Sequence, residues 1–197
     1  MSGPAEARVA LFGYGSLVSP ESAAVTLARP VPPPVPATLS GWRRRWSQCR
    51  DNLAVEKTFA RSDGGVVPRH VLGLNIEPSE GAASLNGALL EVTEAELVRL
   101  DGRELRYDRV EVTGRVSPDD GFERVFAYTA KRPNHAPEPP PGAVVLAAYV
   151  RRVEAAFAEL GPDQVRLYRE TTESFRAEMI EAVLVRDEIP PGNPREW

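Results

Sequence analysis

The hydrophobic positions of this chain fall into short runs and alternations through its middle and into helical stripes toward its end. Val9-Ala10-Leu11-Phe12 is a continuous apolar run, as expected of a strand buried on both faces. Further strands are predicted over 37–49, 70–76, 85–92, 107–116 and 123–130. In the first of these, Trp42, Arg44 and Trp46 share one face, while Arg43 and Arg45 point the other way. In the fourth, Val110, Val112 and Val116 line one face.

Helices are predicted over 20–27, 94–104, 144–160 and 162–175. The long one carries Leu146, Tyr149, Val150, Val153, Phe157 and Leu160 on one stripe, and Gly161 ends it. In the last, Val165, Tyr168, Thr172 and Phe175 share a face. Strands dominate the middle and no regular strand–helix alternation exists. The pattern therefore predicts an α+β fold on a mixed or largely antiparallel sheet.

One helix breaks its own pattern. Thr93-Glu94-Ala95-Glu96 forms a capping box, which accounts for Glu96. Leu97 and Leu100 then open an apolar stripe whose next position is Glu104. A carboxylate on the core side is costly, and burial raises its pKa toward the range of a general acid–base group. A structural ion pair with Arg103, Arg106 or Arg109 would account for the same placement.

The turn after the first strand is the second candidate. Phe12-Gly13-Tyr14-Gly15-Ser16-Leu17 leads into Ser19, an N-cap residue, and Pro20, suited to the first helical position. Two glycines allow a tight turn with outward amide groups, an arrangement that attracts a carboxylate or phosphate. An ordinary strand-to-helix turn would read the same way.

Composition narrows the field. A length of 197 residues fits one domain over 1–197, with a helical pair over about 143–176 and a tail from 187. No apolar run nears the roughly 20 residues that span a bilayer, and the N-terminus lacks the apolar core of a signal peptide. The single cysteine, Cys49, allows no internal disulfide, so the expected location is cytoplasmic. The formal net charge of −4 gives no global field for nucleic acid or membrane. The Pro-rich segments 30–36 and 137–142 read as stiff connectors rather than domain boundaries.

Other chemistry is thin. Ser16 is not in a G-x-S-x-G elbow, and no histidine lies near it in sequence. His70 and His135 are the only histidines, and with one cysteine they form no metal-ligand pattern. No nucleotide-binding glycine motif is present. The basic and aromatic run Trp42–Trp46 is explained by strand alternation rather than nucleic-acid contact.

With these features placed, the chain resembles the γ-glutamylcyclotransferase superfamily, in the manner of a bacterial member. The resemblance rests on Phe12-Gly13-Tyr14-Gly15-Ser16-Leu17, on Asn86-Gly87-Ala88-Leu89-Leu90-Glu91-Val92, and on the segment from Leu100-Asp101-Gly102-Arg103-Glu104 through Tyr107-Asp108-Arg109-Val110. The first is similar to the family's Tyr-Gly-Ser-Leu substrate loop. The others are similar to its small-residue strand, Leu-Asp-x-x-Glu motif and Tyr-x-Arg-Val strand.

The resemblance implies a partly closed mixed β-barrel with surrounding helices. It implies that Tyr14, Gly15, Ser16 and Leu17 bind a substrate α-carboxylate through their backbone amides. It implies that Glu104 is the acid/base, and Tyr107 and Tyr128 are candidates for lining the pocket. The implied reaction turns a γ-glutamyl amine or γ-glutamyl amino acid into 5-oxoproline and a free amine. Both reactants lie in one molecule, so orientation does the work and no metal or cofactor is implied. The expected partner is thus a small γ-glutamyl compound. The chain departs from the glutathione-specific branch, with Val18-Ser19-Pro20 where that branch carries Trp-Asn-Pro. A non-catalytic binder of γ-glutamyl or amino-acid ligands is the alternative on the same fold.

Overall fold

The computed structural model describes residues 7–81 and 83–189, so the expected tail falls outside it from residue 190. Strand β1 (Val9–Gly13) runs through the centre of a six-stranded mixed sheet. It pairs antiparallel with β6 (Ser84–Val92) and parallel with β9 (Arg124–Ala130). Every residue of β1 is buried, as the unbroken apolar run requires. Ala10 and Phe12 face the main core, while Leu11 packs on the other side among Leu90, Leu97, Leu100 and Phe126.

Helix α1 (Pro20–Leu27) begins at the Ser19 cap, whose hydroxyl accepts the Ser22 amide. Helix α2 (Glu94–Arg103) begins with the complete Thr93–Glu96 capping box. Both helices cover the second face of β1. The other side of the main core is closed by a four-stranded sheet of β3 (Trp42–Asp51), β5 (His70–Pro78), β10 (Val144–Leu146) and β11 (Glu178–Ile180). A seam between the sheets is stitched by side chains. Thr129 on β9 donates its hydroxyl to the Ile76 carbonyl at 2.8 Å, and the Ala130 amide donates to Asn75 Oδ1 at 2.7 Å. The fold is α+β with mixed sheets wrapped around one core.

Four expectations need correction. The strand over 37–49 is two strands, β2 (Val35–Ser40) and β3. Gly41 separates them at φ +76°, a left-handed turn that hands the chain from one sheet to the other. The strand over 107–116 also breaks, into β7 (Tyr107–Glu111) and β8 (Val116–Ser117), around Gly114 at the same φ. The helix over 144–160 starts only at Ala147. Its first three residues are β10, a buried apolar run with two β-branched valines, held between β5 and β11. The last helix, α4 (Pro162–Thr171), stops short of Phe175 because Thr172 turns away to bridge Arg44.

Two strands had no signal in the alternation, β4 (Lys57–Arg61) and β12 (Ala182–Asp187), which pair with each other. Arg44 explains how helix α3 (Ala147–Leu160) and α4 are fastened. Its guanidinium is fully buried, lies 5.0 and 4.8 Å from the Phe157 and Tyr168 ring centres, and bonds Asn86 and Thr172. Burial lowers its pKa to about 10.

Candidate active site

The glycine turn leaves β1 at Gly13 and forms one 3-10 turn over Ser16–Val18. That turn is closed by the Val18 amide on the Gly15 carbonyl (3.0 Å) and the Ser19 amide on the Ser16 carbonyl (3.2 Å). Neither bond uses an amide of Tyr14, Gly15, Ser16 or Leu17. Gly13 is where the absence of a side chain matters. A Cβ there would sit 3.1 Å from the Leu17 carbonyl carbon and oxygen. Gly87, next to Gly13's partner Ala88 on β6, is tighter still, because a Cβ would collide with the Gly13 carbonyl and the Phe12 ring. Gly15 has ordinary φ (−143°), and a Cβ there would meet the Tyr149 hydroxyl at an acceptable 3.4 Å. Crowding is therefore a property of Gly13 and Gly87 rather than of Gly15.

Glu104 caps α2 at its C-terminus. Its amide still bonds the Leu100 carbonyl at 2.8 Å, but its own backbone has left the helix. Adjacent residues inside a helix do not face each other. Outside it they can, and Arg103 Nε lies 3.1 Å from Glu104 Oε1. Of the three arginines the sequence offered as partners, Arg103 makes this pair, while Arg106 binds Glu56 and Arg109 lies near Asp101.

Arg103 also ties the local elements together. It donates to the Ser22 carbonyl and hydroxyl, to the Thr26 hydroxyl, and to the Ser16 hydroxyl at 3.2 Å. The turn, α1 and Glu104 are thus held in one frame.

Two cavities meet at Glu104. The smaller, about 40 Å³, is walled by the turn from Phe12 to Leu17 with Leu74 and Tyr128. The larger, about 130 Å³, opens beyond it among Gln48, Arg50, Gly73, Arg106 and Arg152. Ser16, Glu104, Tyr107 and Tyr149 line both.

The structure thus brings Tyr14, Gly15, Ser16, Leu17, Glu104, Tyr107 and Tyr128 around one space. Tyr128 reaches only the smaller cavity. The phenols are held by fixed partners. Tyr14 donates to the Tyr128 carbonyl (2.8 Å), Tyr107 to the Leu74 carbonyl (2.7 Å) and Tyr128 to Asp101 (2.7 Å). Burial, with the negative charge of Glu104 nearby, pushes the Tyr14, Tyr107, Tyr128 and Tyr149 pKa values above the usual phenol range. These groups stay protonated at neutral pH.

Among the described residues, no histidine lies where it could activate Ser16. Its hydroxyl is engaged by Arg103 and Tyr149, and neither histidine lines the cavities. His135 is instead bound to Glu77 at 2.8 Å. Among the described residues, no cluster of three or more His, Cys, Asp or Glu side chains is arranged as metal ligands would be. No helix there is long and apolar enough to cross a membrane.

Several lining residues escaped the sequence reading. Tyr149 falls on the apolar stripe of α3, and its polar end is the one signal the sequence offers. Gln48, Arg50 and Arg152 come from β3 and α3, and nothing in their spacing joins them.

A solved γ-glutamyl cyclotransferase is similar over 88% of this chain and 94% of its own, with 16% identity and a TM-score of 0.55. YkqA from Bacillus subtilis is similar over 84% of this chain at 19% identity and TM-score 0.51, and the match spans about half (55%) of that protein. At these identities the likeness bears on the fold alone. A protein of Arabidopsis thaliana solved in solution shares 28% identity over 66% of each chain, just under two thirds of its length, with a TM-score of 0.40. No curated protein matches the chain. Residues 11–144, from the first strand through the glycine turn and Glu104 to β10, match the family described as gamma-glutamyl cyclotransferase, AIG2-like. The chain belongs to that family.

Proposed function

We propose that this protein is a cyclotransferase that converts a γ-glutamyl amine or γ-glutamyl amino acid into 5-oxoproline and the free amine. The glutamyl part occupies the smaller cavity, its α-carboxylate against the amides of Tyr14–Leu17. The α-amine attacks its own γ-carbonyl carbon, the ring C–N bond forms, and the bond to the leaving nitrogen breaks. Glu104 takes the proton from the attacking amine and returns it to the departing nitrogen. Protonated Tyr107 and Tyr149 wall the reacting centre on the side of the larger cavity. Holding both reactants of one molecule in register is the main source of rate.

The observation that carries this reading is the position of the Glu104 carboxylate, which borders both cavities beside the glycine turn. Incubation with a panel of γ-glutamyl compounds, with 5-oxoproline read by mass spectrometry, tests it. The anchoring of the α-carboxylate is tested by comparing a γ-glutamyl dipeptide with its α-amide. Loss of charge-assisted hydrogen bonds, about 1.5–3 kcal/mol each, should cut kcat/KM by at least tenfold. Equal turnover of the two would remove the turn from the binding site.

The Arg103–Glu104 ion pair favours a second reading, a binder that retains the fold without turnover. In that case γ-glutamyl ligands bind, no 5-oxoproline forms, and Glu104→Gln lowers stability.

A further inference from the structure

Four phenols surround the candidate site, and they differ in where their protons go. Tyr14 donates to the Tyr128 carbonyl, Tyr107 to the Leu74 carbonyl and Tyr128 to Asp101. Tyr149, on α3, differs from these three: its hydroxyl proton has no acceptor among the described residues. Nor is that hydroxyl sealed in the core, because Tyr149 lines both cavities.

The bonds leading to Tyr149 have a fixed direction. A guanidinium only donates, so Arg103 Nη2, 3.2 Å from Ser16 Oγ, makes Ser16 an acceptor. The Ser16 proton is left for its other neighbour, the Tyr149 oxygen. Burial raises the Tyr149 pKa and the bond to Ser16 opposes that rise, which is the sign of a donor onto the phenol oxygen. The chain Arg103–Ser16–Tyr149 thus ends on one uncommitted proton at the cavities. Packing holds the ring in this position. It meets the Trp46 ring edge-on at 5.9 Å, and a Cβ on Gly15 would stand 3.4 Å from its hydroxyl. Helix α3 is itself fastened by Arg44 under Phe157. Tyr149 lies beyond residues 11–144, so the family match does not reach it.

A γ-glutamyl substrate spanning both cavities has its γ-carbonyl where they meet. Ser16, Glu104, Tyr107 and Tyr149 line both. Glu104 handles the amine proton, and the protons of Ser16 and Tyr107 are committed to Tyr149 and Leu74. We propose that Tyr149 is a catalytic residue, the donor that hydrogen-bonds the γ-carbonyl oxygen as it gains negative charge. This rests on the cyclotransferase reading above. As the α-amine nitrogen bonds the γ-carbon, the carbonyl π pair moves onto oxygen, and the Tyr149 hydroxyl stabilises that charge without giving up its proton. The pair then returns, the bond to the leaving nitrogen breaks, and that nitrogen takes the proton held by Glu104. Arg103 polarises the donor through Ser16.

Tyr149→Phe keeps the ring and removes the donor. For a γ-glutamyl compound that the wild type turns over, kcat should fall by about 100- to 1,000-fold, with KM within about threefold and the melting temperature nearly unchanged. Ser16→Ala, expected to lose about tenfold in kcat/KM alone, should lose nothing further in the Tyr149→Phe background, because its effect passes through the phenol. A γ-glutamyl analogue with a tetrahedral phosphinate in place of the γ-carbonyl should bind Tyr149→Phe about 100-fold more weakly than wild type by calorimetry. A retained kcat per folded molecule, losses at Ser16 and Tyr149 that multiply, or equal binding of the analogue overturns the donor role and leaves the cyclotransferase reading standing. If Tyr149→Phe does not fold, binding of the phosphinate to Ser16→Ala decides: a loss of about tenfold sustains the relay, and equal binding ends it. If the wild type releases no 5-oxoproline from any γ-glutamyl compound, the cyclotransferase reading fails and the donor role falls with it.

Discussion

Glu77 and Glu104 each pair with arginine, and they differ in what surrounds them. Glu77, in the four-stranded sheet, is saturated. Its Oε1 accepts from the Ser47 hydroxyl at 2.5 Å and meets His135 Nε2 at 2.8 Å, while Oε2 accepts from Arg43 and Arg45 at 3.2 Å each. Ser47 in turn is bound by Asn75 at 3.1 Å. By residue types alone, a serine, a histidine and a carboxylate would suggest hydrolytic chemistry. The geometry removes it, because both side chains bind the same carboxylate and neither lines the cavities at Glu104. Glu104 pairs with Arg103 and borders two cavities. Saturation makes a carboxylate a structural pin, and a place beside a ligand space makes it a candidate for chemistry.

The largest expected effect is at Glu104. Glu104→Gln should lower kcat by about two to four orders of magnitude with little change in melting temperature. A variant that melts early yet keeps its rate per folded molecule would make Glu104 a second pin and erase the contrast. Glu77→Gln should do the opposite. Arg43 and Arg45 keep Glu173, but weakening the charge-assisted bonds that Ser47, His135 and the arginines make to Glu77 costs about 1–3 kcal/mol, a fall in Tm of roughly 5 °C, with kcat of the folded fraction retained. Scanning calorimetry alongside 5-oxoproline release separates the two.

The Glu77 pin also responds to acid. Burial alone would raise the Glu77 pKa, but hydrogen bonds from Ser47, His135 and Arg45 overcome it and hold the value at about 2. The folded pKa lies below the unfolded one, near 4.5, so the ionised form stabilises the fold. That contribution is complete above about pH 4.5 and is lost as pH falls toward 2. Acid unfolding of Glu77→Gln should lose this limb, and a curve identical to wild type would show that the cluster carries no such linkage.

Smaller effects probe the turn. Gly87→Val forces a side chain onto the Gly13 carbonyl and should cost about 1–3 kcal/mol together with reduced affinity for γ-glutamyl compounds. Urea unfolding and KM measure the two parts. Ser16→Ala should cost about tenfold in kcat/KM, the value of one modest hydrogen bond. Complete loss, or labelling of Ser16 by a serine-directed phosphonate, would revive a covalent mechanism.

Much of the frame was legible in the sequence because it depends on local rules. The Ser19-Pro20 start, the Thr93–Glu96 box and the Gly161 stop each follow from which backbone groups a helix end leaves unpaired. The buried run of β1 and the misfit of Glu104 on its stripe follow from periodicity. The family motifs stand in that same local frame, around the glycine turn and the end of α2. Local pattern failed where a neighbour made the decision. Val144-Val145-Leu146 is apolar in either state, and only its place between β5 and β11 makes it a strand. Strand β4 needs β12, more than a hundred residues away.

The sequence by itself determined the strand-turn-helix at the glycines, the helix carrying Glu104 and the family to which both belong, because each is written within a few turns of chain. Only the tertiary structure decided that Arg103 pairs with Glu104, that Glu77 is filled from every side, and that Gln48, Arg50 and Arg152 border one cavity. Those relations join side chains on separate elements, and no spacing along the chain encodes which of them meet when the sheets close.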